Sequence, residues 1–186
     1  MPPEGDRLLR LGLIGAGRWG RVLIATIRRL PGLDLCWLAS TAPDAPSLVR
    51  PGATVAPDWR AFTGARLDGI VIATPADAHA APLRAAIEAG VPAFVEKPLV
   101  TAVEDARALA ALAAERNAVV LVDHTAIFHP AYERLRELGQ PGRPWRVVSM
   151  GGQWGRLGGD VGALWDYGPH DLALCLDLLG LDATLE

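Results

Sequence analysis

The chain of 186 residues reads as an α/β fold, a doubly wound parallel sheet with helices on both faces. Three observations predict it. Short apolar runs of strand length alternate with stretches of helical periodicity. The strand runs are apolar throughout, as in sheets buried between two helical layers. The first run, residues 8–14, stops at Gly15 and passes through Gly15-Ala16-Gly17-Arg18-Trp19-Gly20, a Gly-x-Gly-x-x-Gly turn, into an apolar-periodic helix. Each glycine there has a mechanical task. Gly15 permits the tight turn, Gly17 lets a pyrophosphate approach the backbone, and Gly20 lets the helix sit close to the strand. Unpaired N–H groups and the positive dipole end of the helix then face the phosphates. The stretch points to a Rossmann-type dinucleotide site with Gly15, Gly17, Arg18, Trp19 and Gly20 as cofactor-binding candidates.

Composition narrows the classes. Hydrophobic residues make up 51% of the chain and the mean hydropathy is +0.22, enough for a sizeable core. A net charge of -3 and a pI near 5.8 argue against nucleic acid or an anionic membrane as the main partner. Residues 1–7 are polar and lack a signal peptide's apolar centre, and no apolar run is long enough to cross a bilayer. Cys36 and Cys175 fall among apolar neighbours and read as reduced core residues, which fits a cytoplasmic protein. Among 18 basic residues Lys97 is the only lysine. An ammonium is compact and tunable where a guanidinium cannot shed its proton.

In chain order, residues 18–30 form the first helix, ended by Pro31-Gly32. Residues 33–40 form the second strand. Its end lies about 20 residues beyond the glycine turn, where an acidic residue usually holds the ribose 2′-OH in NAD enzymes. Ser40 takes that position, followed by Thr41. Neither repels a 2′-phosphate and both can hydrogen-bond one, which tilts the cofactor towards NADP. No arginine follows immediately, and a pocket that accepts NAD or NADP stays open as an alternative. Residues 41–57 read as loops with a short strand at 53–56, and Asp58 caps a brief helix through Phe62. Residues 67–73 form a buried strand ended by Thr74-Pro75. An alanine-rich helix covers 78–89, and a strand at 91–95 runs into Glu96-Lys97-Pro98.

In such sheets the ligand crevice lies beyond the carboxyl ends of the strands. Thr74, Pro75, His79, Glu96 and Lys97 therefore converge with the glycine turn as cofactor-binding candidates. Proline fixes the backbone after Lys97, and a cis bond there would aim its side chain sharply. His79 reads equally as a polar residue of a helix's first turn. Residues 101–116 form a further helix with Thr101 and Glu104 as a capping box. The sixth strand, 118–122, ends at Asp123-His124. A helix at 130–138, a linker at 139–144 and a strand of a new sheet at 145–154 follow. Residues 163–179 are apolar at helical spacing, interrupted by Asp166-Tyr167-Gly168-Pro169-His170-Asp171. The chain thus divides into a dinucleotide-binding domain, 1–124, and a partial α+β segment for substrate or oligomerisation, 125–186. It carries no metal-ligand spacing and no Gly-x-Ser-x-Gly elbow.

With Gly15-Ala16-Gly17-Arg18-Trp19-Gly20, Ala73-Thr74-Pro75, Glu96-Lys97-Pro98 and Asp166-x-Gly168-x-His170 in that order, the chain resembles the glucose–fructose oxidoreductase / inositol dehydrogenase / MocA (Gfo/Idh/MocA) family. The run Leu164-Trp165-Asp166-Tyr167-Gly168-Pro169-His170-Asp171 is similar to the branch acting on sugars or nucleotide sugars. The resemblance implies a Rossmann domain followed by a domain on a large open sheet. It also implies hydride transfer between nicotinamide and a secondary alcohol carbon of a sugar or polyol. Carried over by motif, Lys97 hydrogen-bonds the reacting oxygen, His170 is the general acid/base, and Asp166 orients the histidine or substrate. The types suit the chemistry, since histidine titrates near neutrality and an ammonium stabilises a developing alkoxide. Ala173 departs from an acidic residue found in many members, and the length leaves room for about one strand and one helix of the large sheet. Two readings follow: an NAD(P)-dependent dehydrogenase, or a non-catalytic dinucleotide-binding subunit or sensor. Trp145, Trp154 and Trp165 would be uncovered in a lone chain, which predicts a homo-oligomer through this segment.

Overall fold

The computed structural model describes residues 7–138, 146–150 and 162–180. Six strands, β1 (Leu9–Ile14), β2 (Leu33–Ala39), β3 (Thr54–Ala56), β4 (Gly69–Ile72), β5 (Ala93–Glu96) and β6 (Val120–Asp123), form one sheet in the order β3-β2-β1-β4-β5-β6. The pairs β1–β2, β1–β4, β2–β3 and β4–β5 are parallel. The connecting helices are α1 (Arg18–Ile27), α2 (Ala80–Glu88) and α3 (Val103–Glu115); α4 (Pro130–Leu138) and α5 (Ala163–Leu179) follow the sheet.

The apolar strands divide their side chains between two cores, as a period of two requires. Leu13, Leu35, Leu38 and Val71 pack with Ile24 and Ile27 of α1 on one face. Ile14, Trp37, Ile70 and Ile72 pack with Leu83 and Ile87 of α2 and Leu109 of α3 on the other. The alternation breaks once. Leu11 pairs with Leu35 but Gly12 with Trp37, so Cys36 is an extra residue in β2 and joins the same core as Trp37.

Strand order reverses between β1 and β4, the place where an open α/β sheet forms its crevice. The register aligns Ile14 with both Ala39 and Ile72. Gly15, Ser40 and Ala73 therefore leave three neighbouring strands at one level.

Several local expectations hold and others are corrected. Asp58 caps a 3₁₀ turn, Trp59–Gly64, by accepting the Arg60 backbone N–H at 3.0 Å. The capping box of Thr101 and Glu104 does not form. Helix α3 begins one residue later, with Ala102 as an extended N-cap that makes no side-chain bond. Glu104 is thus shifted off the reciprocating position and, with Asp105, faces the helix's positive end instead. The helix expected over 78–89 divides into a 3₁₀ turn, Ala76–Ala78, and α2. Helix α5 runs without interruption through Pro169, which removes one N–H but leaves its neighbours helical. Residues 146–150 show no strand; the rest of that expected strand, the linker at 139–144 and Trp145 and Trp154 lie outside the described residues. Cys36 is buried, Cys175 only half-buried, and both are free thiols.

Contacts separate two units, residues 1–122 and 123–186. Within the second, the buried Tyr132 of α4 donates its hydroxyl to Asp177 Oδ2 of α5 at 2.7 Å. That bond, together with burial, raises the phenol's pKa well above its ordinary value, burial being the larger cause.

Candidate active site

The glycine turn joins β1 to α1 through Gly17, the helix N-cap, whose backbone is extended and makes no side-chain cap. The first turn of α1 holds no acidic residue. Its leading N–H groups and its positive end are therefore open to an anion. The three glycines differ in what surrounds them. Gly15 has φ +98°, and a Cβ there would stand 2.6 Å from the Ala73 carbonyl oxygen. A Cβ on Gly20 would run into the Gly15 carbonyl. A Cβ on Gly17 would meet nothing within 4 Å. Two glycines are thus required by the fold, and the third keeps open space in front of the helix.

Beside that space lies a cleft of about 390 Å³, within the roughly 300–1,000 Å³ usual for cofactor sites. Gly15, Gly17, Ser40, Thr41, Trp59 and Thr74 all line it. Ser40 Oγ accepts the Ala42 backbone N–H at 3.1 Å, which leaves the hydroxyl proton to donate to a ligand. Thr74 Oγ1 is buried and has no hydrogen-bond partner among the described residues. A dinucleotide would fit these features: its phosphates would meet the uncapped helix, and its hydroxyls or amide the orphaned threonine. At the rim, Arg21 holds Asp44 through two bonds of 2.7 and 2.9 Å and donates Nε to the Ala16 carbonyl.

Trp59 is the residue that sequence reasoning missed. It stacks on Phe62 with ring centroids 6.4 Å apart, and the Arg60 guanidinium lies 4.6 Å from its ring centre. No motif marks it; only the path of the chain after β3 brings it to the cleft wall. Arg18 and Trp19 are exposed on the first turn of α1, and Pro75 is exposed at the start of the 3₁₀ turn. None of the three is in the cleft wall.

The end of β5 carries Glu96, 8% exposed, then the half-buried Lys97. The Lys97–Pro98 bond is cis, as the sequence allowed. His79 does not line the cleft. It is 1% exposed, with both ring nitrogens against backbone carbonyl oxygens. At the end of β6, Asp123 Oδ2 and His124 Nδ1 are buried without a hydrogen-bond partner among the described residues. Burial pushes the His124 pKa below its usual value, against the smaller opposing pull of Asp123.

In the second unit, Asp166 and His170 stand four residues apart on the unbroken α5, and so on one helical face. Among the described residues no cluster of His, Cys, Asp or Glu is arranged to hold a metal ion. No helix among them is long and apolar enough to cross a membrane.

Known proteins resemble this chain in sequence and fold. The chain is 30% identical over 182 residues to UDP-N-acetylglucosamine 3-dehydrogenase of Acidithiobacillus ferrooxidans, a match covering 94% of this chain and 55% of that one. It is 36% identical over 140 residues to an inositol 2-dehydrogenase of Acidothermus cellulolyticus, covering 70% and 40%. The crystal structure of GenD2 from gentamicin A biosynthesis, in complex with NAD, superposes with a TM-score of 0.78 at 30% identity, over 97% of this chain and 57% of that one. The chain spans about half the length of the curated relatives it matches. Residues 9–124 match the oxidoreductase family with an NAD-binding Rossmann fold. With that fold, this strand order and this glycine turn, the chain belongs to the Gfo/Idh/MocA oxidoreductase family.

Proposed function

We propose that the chain serves an NAD(P)-dependent oxidoreductase acting on a secondary alcohol or ketone carbon of a sugar, polyol or nucleotide sugar. One observation carries this reading: open space at Gly17 before an uncapped helix, on the sheet edge where β5 delivers Lys97. Relatives named for a nucleotide sugar and for inositol support the substrate class. Gly15, Gly17, Arg18, Trp19 and Gly20 serve the turn that receives the pyrophosphate, Ser40 and Thr41 the adenosine ribose, and Thr74 the far side of the cleft, with Pro75 fixing the backbone after it. Glu96 and His79 act at the turn that carries Lys97. When bound, the nicotinamide accepts or supplies the hydride. Lys97 hydrogen-bonds the reacting oxygen and stabilises its negative charge, His170 takes or returns the proton, and Asp166 orients it.

Lys97→Met is the test. Dinucleotide binding stays nearly intact while turnover falls by about two to four orders of magnitude, the scale of a lost acid/base or oxyanion partner. Lys97→Arg does not restore it, because a planar fork cannot occupy an ammonium's position. Near-normal turnover of Lys97→Met overturns the assignment. A second reading, a dinucleotide-binding subunit or sensor without turnover, is favoured by the cleft lying wholly in the first unit. Titration with both dinucleotides, paired with a panel of sugars and polyols, separates the two.

The preferred cofactor is NADP, on the evidence of Ser40 and Thr41 in the cleft wall where NAD enzymes carry an acid. Ser40→Asp weakens NADP by charge repulsion and spares NAD. Calorimetry decides: wild-type protein that binds NAD at least tenfold more tightly than NADP refutes the preference. Two free thiols suit a reducing, cytoplasmic setting. The exposed apolar residues of α5 suit burial against a second copy of the chain.

A further inference from the structure

His79 is enclosed by acceptors. Its Nδ1 lies 2.9 Å from the Pro98 carbonyl oxygen and 3.2 Å from that of Leu99. Its Nε2 lies 2.9 Å from the Thr74 carbonyl oxygen. A carbonyl oxygen cannot donate, and a neutral imidazole carries one N–H and one bare lone pair. Whichever nitrogen holds the proton in the neutral ring, the other would point its lone pair at an oxygen lone pair, at 2.9 Å too close for a water to stand between. Only a ring protonated on both nitrogens satisfies both sides. A buried cation is tolerable where dipoles solvate it, and three carbonyl oxygens do so here.

The bonded segments are the informative part. Thr74 follows β4 and lines the cleft; Pro98 directly follows Lys97 at the end of β5. The ring itself is held from the start of α2, where the His79 carbonyl accepts the Leu83 N–H at 3.1 Å. We propose that His79 is a positioning residue: as an imidazolium it ties the turn carrying Lys97 to the end of β4, and so fixes where the ammonium stands beside the cleft. The proposal rests on Lys97 being the group that meets the reacting oxygen, but its test uses no turnover.

Lys97 is the only lysine, so lysine labelled with ¹³C gives a single Cε resonance, and ¹⁵N-histidine reports the rings. In the wild-type chain both His79 ring nitrogens show directly bonded, slowly exchanging protons. An unprotonated nitrogen in that ring overturns the imidazolium. His79→Gln carries one amide head that cannot donate to both sides, and it shifts the Lys97 Cε resonance towards its free-lysine position while the amide spectrum stays dispersed. An unmoved resonance in the folded variant overturns the positioning role. Should the variant fail to fold, the wild-type chain still decides. Couplings through the hydrogen bonds, from both ring N–H groups to the carbonyl carbons of Thr74 and Pro98, support the clamp, and their absence refutes it. The role of Lys97 itself stands or falls separately, on turnover of Lys97→Met.

Discussion

Gly17 and Gly20 share a motif and a residue type, yet they answer to different constraints. At Gly20 an added methyl meets the backbone of Gly15, which cannot move aside without distorting the turn. Gly20→Ala is expected to lower stability by about 1–3 kcal/mol, the cost of overpacking, and to lose dinucleotide binding with it. At Gly17, the N-cap of α1, the methyl enters open space, so Gly17→Ala costs only the difference between glycine and alanine at a cap, about 0.5–1 kcal/mol. Its dinucleotide affinity falls tenfold or more, about 1.4 kcal/mol, because the methyl stands where a phosphate must approach. Thermal melts and calorimetric titrations of the two variants check the contrast, and wild-type affinity in Gly17→Ala would rule it out. This division of labour was readable from the spacing, since each glycine's task follows from backbone sterics within a few residues. The Trp59 wall and the enclosure of His79 were not readable, because neither depends on local pattern.

Strand ends are where the elements put their polar residues, and β6 ends on Asp123 and His124. Burial removes water from the charged imidazole of His124, so its pKa in the folded chain lies below the ordinary 6.5. The unfolded chain binds that proton more readily. The contribution is therefore complete above pH 6.5 and is lost as the pH falls through the window below it. Hydrogen bonds from Arg50, Arg21, the Arg60 amide and Arg7 hold Asp34, Asp44, Asp58 and Asp68 below the usual 3.8, so their contributions fade only in stronger acid. His124→Gln is expected to flatten the fall in melting temperature just below pH 6.5 and to leave the acid limb unchanged. An unaltered slope in that window would exclude the assignment. Element by element, the six strands of the sheet and α4 were legible because apolar periodicity is local, whereas the further strand expected at 145–154 does not appear over 146–150. The start of α3 and the continuity of α5 were not. The expected capping pair lay one residue out of step, and Pro169 removes a single N–H from a helix that Tyr132 ties down through Asp177.

At the scale of the molecule, Trp165, Leu172 and Leu176 are 41%, 47% and 41% exposed, and their spacing of seven and four places them on one side of α5. Leu164 adds to the exposed apolar surface at 77%. Exposed apolar side chains on one helical side suit an interaction site, and the proposed second copy of the chain would cover them. Sedimentation at micromolar concentration is expected to show an assembly that Leu172→Glu dissociates. A monodisperse wild-type monomer rejects this. By itself, the sequence determined the alternation of strand and helix, the glycine turn and the polar strand ends, because hydrophobic period and backbone sterics act over about ten residues. Only the tertiary structure decided that β1 lies between β2 and β4, that Trp59 reaches the wall beside Ser40, and that His79 closes on Pro98 nineteen residues away. Those contacts join segments that carry no common period, and they exist only once the sheet has brought the strand ends to one edge.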